Sequence, residues 1–298
     1  MQGDTRFLPA RIHSIARCRV MQKLYAGQGK HTRVIHNCEL TTITGLSVSV
    51  RKIISYTSAY RASGEFALSR ESSRREVFPA AGVGILARLV SLISGGIDSP
   101  VATYLMIRRG VEIVAVHMDN RPFTDDKNLD KALQLVRHLQ EVTKSPIKTY
   151  VVPHGPNHVV FARNCERHLH CLFCRRMMYR VAERIAEREG AVGILTGESM
   201  GQVASQTVQN INVVNQVAKL PIIRPLIALD KQEIIEIARR IGTYEISILP
   251  GLCCTIVPKQ PSTAAKLPDV LAGEGKIDIE SLVEKSLEGM YVLAPESL

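Results

Sequence analysis

From residue 89 onward, short apolar segments alternate with amphipathic segments of helical length. Most of the short segments are apolar at consecutive positions, which is typical of parallel strands covered by helices on both faces. The predicted strands are Leu89–Ser94, Glu112–Met118, Ile147–Pro153, Ala191–Thr196 and Pro221–Leu226. This alternation predicts an α/β fold with a doubly wound parallel sheet, in which ligands bind at the carboxyl ends of the strands.

The segments between these strands predict the helices Pro100–Arg109, Lys127–Val142, Cys174–Glu189, Gln202–Ala218 and Asp230–Ile241, and one more follows at Ile279–Gly289. Three of the predicted helices are followed by a glycine, and Asp230 with Glu233 has the spacing of an N-terminal capping box. We therefore expect a basic segment over residues 1–88 with no predictable fold, an α/β domain over 89–262, and a C-terminal tail over 263–298 with a short helix.

The net charge of +10 is concentrated in the first 88 residues, which contain 14 Lys and Arg and 5 Asp and Glu. Such a basic segment suggests a polyanionic partner such as RNA, and the alternative is a solvated extension.

No apolar run is long enough to cross a membrane and no secretory signal is present, so a cytoplasmic protein is expected. The odd number of cysteines, seven, includes a CxxC pair and favours reduced thiols, metal binding or redox chemistry over a disulfide framework.

The segment SGGIDS, Ser94 to Ser99, follows the first predicted strand and precedes a helix. Because Gly95 and Gly96 lack a Cβ atom, an anion can approach the main chain there, and the positive end of the helix dipole adds to the attraction. Ser94 and Ser99 can donate hydroxyl hydrogen bonds, and Asp98 suits a Mg²⁺ ion that bridges it to a phosphate, or a role in shaping the loop. The pattern lacks the GK[ST] of a Walker A loop. The alternative is a plain glycine-rich turn.

This motif resembles the signature of the PP-loop ATP pyrophosphatases, which cleave ATP between its α and β phosphates. The blocks that resemble the tRNA 4-thiouridine synthetases (tRNA sulfurtransferases) more closely are LISGGIDSPVATYLMIRRGVEIVAVH, RRMMYRVAERIAE, LTGESMGQVASQT, RPLIALDKQEIIEIARRIGTYEISI and CCTIVPKQP. The resemblance covers about residues 89–262. It implies ATP-dependent adenylation of a tRNA uridine and replacement of its C4 oxygen by sulfur, with sulfur supply for the thiazole of thiamine as a further role. The alternatives are a PP-loop enzyme for a small molecule and a non-catalytic nucleotide-binding remnant.

The same resemblance assigns the nucleotide-binding positions, which are Leu92, Ile93, Ser94, Gly95, Gly96, Ser99, His117, Met118, Arg175, Gly197 and Gln206. It makes Asp98 the catalytic or Mg²⁺-associated acid. Simpler alternatives exist, for example His117 as a satisfied histidine at a strand end, Arg175 as part of a solvated basic helix face, and Gly197 as a turn glycine.

Cys171 and Cys174 form the CxxC pair, and Cys253 and Cys254 are adjacent farther along the chain. A CxxC pair can form and resolve a persulfide, and with a third thiolate it can hold an iron–sulfur cluster. The resemblance, to the archaeal-like members without a rhodanese domain, favours a cluster held by the CxxC pair and a distal cysteine, which is either Cys253 or Cys254. We choose Cys254, so that Cys171, Cys174 and Cys254 are the expected catalytic and metal-ligating residues; unrelated buried thiols are the alternative. It also implies a sulfur donor, either a cysteine desulfurase persulfide or sulfide, and leaves a homodimer open. The family's ferredoxin-like and THUMP domains are not recognisable in residues 1–88, so the mode of tRNA binding stays open.

Overall fold

The computed structural model describes residues 37–41, 47–51 and 87–298. The chain divides into two compact units, Met1–Ser73 and Arg74–Leu298. In the first unit, β1 (Asn37–Thr41) and β2 (Ser47–Arg51) pair in antiparallel orientation, with Asn37 opposite Arg51. The expectations for the rest of residues 1–86 lie outside the described residues.

The described strands of the second unit form one six-stranded sheet. They are β3 (Ala87–Leu92), β4 (Val111–Asp119), β5 (Lys148–Pro153), β6 (Ile194–Leu195), β7 (Ile222–Ile223) and β8 (Tyr291–Leu293). The order is β7-β6-β3-β4-β5-β8, and β8 alone of these runs antiparallel to its neighbour. The chain enters this sheet at its centre, in β3, and adds β4 and β5 on one side of β3. It then returns to add β6 and β7 on the opposite side of β3, so a crevice opens between the ends of β3 and β6. The predicted doubly wound α/β fold is confirmed, with one added antiparallel edge.

The helices are α1 (Asp98–Ile107), α2 (Asp126–Thr143), α3 (Gly155–Asn164), α4 (His170–Glu189), α5 (Val208–Asn215), α6 (Lys231–Arg240), α7 (Tyr244–Ser247), α8 (Leu267–Glu274) and α9 (Ile279–Glu288). The predicted capping box is present: the Asp230 side chain accepts from the Glu233 amide at 2.9 Å, and the Glu233 side chain accepts from the Asp230 amide at 2.8 Å. None of the helices in the described part of the chain is long and apolar enough to cross a membrane.

The predicted helix Gln202–Ala218 is wrong in its first half. Residues 204–206 form a single 3₁₀ turn, and Gly201 has a φ of +76°. The helix begins only at Val208 because the Thr207 side chain accepts a hydrogen bond from the Asn210 amide and caps it.

Two apolar layers cover the two faces of the sheet. Along β4, Val114 and Val116 pack into the layer that contains α4, and Ile113 and Ala115 pack into the layer that contains α1 and α6. The segment after residue 262, expected to be a tail with one helix, contains α8, α9 and β8. Its side chains Val270, Leu282, Val283 and Leu287 belong to the α4 layer, so this segment is part of the second unit's core.

Candidate active site

The SGGIDS segment forms a loop held by its own serine side chains. The Ser99 hydroxyl accepts from the Ser94 amide at 2.9 Å, and the Ser94 hydroxyl accepts from the Gly96 amide at 3.3 Å. The two hydroxyl oxygens are 3.2 Å apart. The serines therefore fix the shape of the loop at the end of β3, where α1 begins.

A cleft of about 290 Å³ opens at the carboxyl ends of β3, β4 and β6. It is lined by Asp98 and by every residue that the resemblance assigned to the nucleotide: Leu92, Ile93, Ser94, Gly95, Gly96, Ser99, His117, Met118, Arg175, Gly197 and Gln206. Residues that the sequence did not single out complete the lining, among them Asn120, Thr124, Asn128, Tyr179 and Glu198. The structure thus brings the assigned residues together from five separate parts of the chain.

His117 is buried at the end of β4, and its Nδ1 lies 3.1 Å from the carbonyl oxygen of Ile93. Because a carbonyl can only accept, Nδ1 carries the ring proton. Burial lowers the pKa of His117 and outweighs the hydrogen bond, so the ring is neutral at pH 7. Its Nε2 is then a hydrogen-bond acceptor at the cleft wall.

Gly197 lies against the first turn of α1. A Cβ atom at this position would come within 2.5 Å of the Ser99 nitrogen and 2.7 Å of the Asp98 carbonyl carbon. The loop after β6 can approach α1 this closely only because residue 197 has no side chain. Gly197 therefore sets the distance between the two walls of the cleft as well as lining it.

Arg175 is held in the cleft wall by Glu198, a buried carboxylate that also bonds Arg224 and accepts from the Tyr179 hydroxyl at 3.0 Å. Burial alone would raise the pKa of Glu198, but the charges of Arg175 and Arg224 outweigh it and lower the pKa. The neighbouring Arg176 is only 2% exposed. The interpretation of this arginine run as a solvated face therefore fails for its first two members.

The three assigned cysteines lie close enough to influence one another's pKa values, and Cys174 adjoins Arg175 in the cleft wall. Burial, followed by the proximity of Cys171 and Cys254, raises the pKa of Cys174. Burial and then Cys254 likewise raise the pKa of Cys171. The Cys254 loop is tied to the cleft because Asn128, which lines it, donates to the Leu252 carbonyl at 2.6 Å. Cys253, the other member of the adjacent pair, is exposed.

Comparison with known proteins gives the family. The family model described as "Thiamine biosynthesis protein (ThiI)" matches residues 84–279. The chain belongs to this family. A probable tRNA sulfurtransferase of Moorella thermoacetica is 46% identical over 216 residues, which are 72% of this chain and 55% of that protein. One from Methanosarcina acetivorans is 44% identical over 214 residues, 71% of this chain and 52% of the relative.

A solved structure gives the same result for the fold. The crystal structure of a 4-thiouridine synthetase–RNA complex with bound ATP is similar with a TM-score of 0.67 and 37% identity, covering 70% of this chain and 55% of that one. The chain spans about half the length of the curated relatives it matches.

Sequence reasoning missed Lys231, whose Nζ lies 2.6 Å from Asp98 Oδ1 at the mouth of the loop. No local pattern marks it. Lys231 is the first residue of α6, where the helix dipole disfavours a cation, and its partner Asp98 is 133 positions away in the sequence.

Sequence reasoning also missed three buried histidines next to Cys174. His154 Nε2 is 3.3 Å and His158 Nε2 is 3.9 Å from the Cys174 sulfur, and these three ligand atoms lie within 4.8 Å of one another. His158 Nδ1 is 2.9 Å from His170 Nε2, and His158 Nε2 is 2.9 Å from the Oδ1 of Asn120, which lines the cleft. The histidine network therefore connects the CxxC thiol to the cleft wall.

Proposed function

We propose that this chain uses ATP to activate a tRNA uridine and replaces the C4 oxygen of that uridine by sulfur. The observation that carries the proposal is a cleft lined by a glycine loop and by Asp98, which pairs with Lys231, beside three cysteine thiols that influence one another's pKa values. The names of the relatives, tRNA sulfurtransferases and a 4-thiouridine synthetase, support the same conclusion.

The cleft suits ATP as a substrate. The phosphates would lie on the main chain of Gly95 and Gly96 and at the N-terminus of α1, which together attract an anion. The base would lie between apolar side chains such as Ile93 and Met118, where the unprotonated Nε2 of His117 can accept a hydrogen bond from the adenine amino group.

Activation would join the uridine C4 oxygen to the α-phosphorus of ATP and break the bond from that phosphorus to the β-phosphate oxygen, releasing pyrophosphate. Asp98 would hold Mg²⁺ on the phosphates, and Lys231 would then neutralise charge on the leaving pyrophosphate. A sulfur nucleophile would next add to C4, and AMP would leave with the original oxygen.

The sulfur chemistry would take place at Cys171, Cys174 and Cys254. Three neighbouring thiols fit an iron–sulfur cluster with three protein ligands, and when bound such a cluster would supply one iron open to an external sulfur ligand. The sulfur would come from sulfide, or from a cysteine desulfurase persulfide whose outer sulfur is released as sulfide when a second thiol attacks the inner sulfur and forms a disulfide. Supply of sulfur to thiamine thiazole, which the family description favours, is a further proposed role. A cytoplasmic location and a homodimer stay predictions.

The test is pyrophosphate release by the full chain with ATP, with and without tRNA. Release that requires tRNA, and 4-thiouridine in the recovered tRNA when a persulfide donor is added, is expected. Asp98→Ala should abolish both without changing the circular dichroism spectrum. Pyrophosphate release that ignores tRNA would point instead to a small-molecule substrate, and no release at all would indicate a nucleotide-binding protein without catalysis.

A further inference from the structure

A chain of buried hydrogen bonds runs from α9 through α3 to Cys174 on α4. It starts at Ser286, whose hydroxyl donates to the carbonyl of Leu282 at 2.8 Å. A serine hydroxyl has one proton, and this bond uses it. The Ser286 oxygen can therefore only accept from the Asn157 amide group that lies 2.9 Å away.

This contact fixes the orientation of the Asn157 side chain. The group facing Ser286 must be the NH₂, because only that half of the amide can donate. The same NH₂ lies 3.2 Å from His154 Nδ1, which must then accept. His154 is fully buried, so water does not compete for this contact. A neutral ring with an accepting Nδ1 carries its proton on Nε2, the atom 3.3 Å from the Cys174 sulfur.

We propose that His154 is a positioning residue that donates an Nε2–H···S hydrogen bond to Cys174 and raises the reduction potential of the cluster that this thiolate ligates. The second half of the inference rests on the iron–sulfur cluster of the proposed function. A hydrogen bond to a ligating sulfur withdraws electron density from it, which favours the reduced cluster. Cys171 has no such partner among the described residues, so the two sulfurs of the CxxC pair differ in electron density.

The same network argues against a single metal ion held by His154, His158 and Cys174. Coordination through His154 Nε2 would move the ring proton to Nδ1, where it would face the NH₂ of Asn157. Two donors would then point at each other in a buried site. Metal-bound histidines normally donate their second N–H to an acceptor, and the structure offers a donor instead.

The proton position can be measured on the full chain without iron, by ¹⁵N NMR of histidine-labelled protein. The His154 signals are identified by their absence from the spectrum of His154→Gln. We expect a protonated Nε2 and an unprotonated Nδ1. The opposite tautomer, or loss of the Nε2 proton when zinc is added, would overturn the hydrogen bond.

The effect on the cluster is measured as the reduction potential after anaerobic reconstitution with iron and sulfide. His154→Leu should lower the potential, and His154→Gln, whose amide can donate from a similar position, should keep it close to that of the wild type. His138→Leu removes a histidine whose polar partners in the described part of the chain are the Ile241 carbonyl and Glu141 on α2, and it should leave the potential unchanged. Equal potentials in wild type and His154→Leu would overturn the tuning role. A wild-type chain that takes up no iron would overturn the cluster and its tuning, whereas the NMR result would still decide the hydrogen bond.

Discussion

Lys231 and Asp98 form an ion pair across 133 positions of sequence. Both side chains are partly exposed, so the pair adds little to stability, and we expect its value to lie in charge compensation during reaction. Lys231→Met should therefore lower kcat/KM for tRNA-dependent pyrophosphate release about 100-fold, as loss of one preorganised charge does elsewhere. The melting temperature should not change.

The control for this prediction is Lys285→Gln, which removes an equal charge from the exposed face of α9. Its activity should match that of the wild type. Equal activity of Lys231→Met and wild type would show that the pair is only a surface contact.

Gly197→Ala tests how closely the loop after β6 must approach α1. The added methyl group would meet backbone atoms of Asp98 and Ser99, which cannot move without displacing the glycine loop. We expect a loss of about 2 kcal/mol in the free energy of unfolding and weaker ATP binding by calorimetry. Gly275→Ala is the matched control, because its methyl group would meet other atoms only at 3.4 Å or more. Unchanged ATP affinity in Gly197→Ala would contradict the spacing role.

At the scale of single residues, the sequence predicts motifs made of neighbouring residues well, and it predicts poorly which residues from distant parts of the chain will contact each other. SGGIDS can be interpreted from its own residues because the strand, the glycines and the helix start are adjacent. Lys231 and Glu198 acquire their roles only when the fold brings Asp98 and Arg175 to them. The proton on His154 depends on Ser286, 132 residues away, and no local pattern encodes it.

Among the elements, α4 and α8 are joined by a buried carboxylate. Glu274 on α8 accepts from Arg176 at 2.7 and 2.9 Å and from Arg180 at 2.7 and 2.9 Å. Burial raises the pKa of Glu274, but the hydrogen bonds from Arg176 and then Arg180 outweigh it and lower the pKa to about 2. Because Arg176 is buried, Glu274→Gln would leave an unpaired charge and should cost about 3 kcal/mol at pH 7.

The pH dependence of that cost follows from the sign of the shift. The folded pKa lies below the ordinary value of 4.5, so the ionised carboxylate stabilises the fold above about pH 4.5, and this contribution is lost as the pH falls toward 2. The difference in unfolding free energy between wild type and Glu274→Gln, measured by urea denaturation, should shrink by about 2 kcal/mol over that range after allowance for solvent screening. The matched control is Glu284→Gln on α9, which breaks a half-exposed ion pair with Arg184 and should cost less than about 1 kcal/mol at pH 7. A constant difference would contradict the assignment.

The elements that the sequence predicts are those with a strong pattern of their own. β3, β4 and β5 have short apolar runs, with β-branched residues concentrated in β4 and β5, and α6 has a capping box. β6 and β7 are only two residues long in the structure, shorter than their apolar segments predict, because only those two residues of each pair with a neighbouring strand. The sequence does not predict α3, α8 or β8. The segments of α3 and α8 contain Gly and Pro, and these helices pack against α4, where Gly273 of α8 lies against Phe173. β8 has only three residues and is a strand because it pairs with β5.

For the whole molecule, the division at residue 73 separates most of the net positive charge, in residues 1–73, from the nucleotide cleft, in residues 74–298. Residues 1–73 carry 11 Lys and Arg against 4 Asp and Glu, and residues 74–298 contain the complete sheet, both apolar layers and the cleft. A fragment of residues 74–298 buries its own core, so it should fold and bind ATP·Mg²⁺ with the affinity of the full chain.

The same fragment should bind tRNA more weakly and with a smaller dependence on salt, because phosphate contacts made by the basic segment release counterions from the RNA. Affinities measured by fluorescence anisotropy at several KCl concentrations give the slope of log K against log salt for both chains. A lower slope in the fragment at equal ATP affinity would assign tRNA attraction to residues 1–73. Equal slopes would place tRNA binding within the second unit, and a fragment that fails to bind ATP would show that the cleft needs the first unit to form.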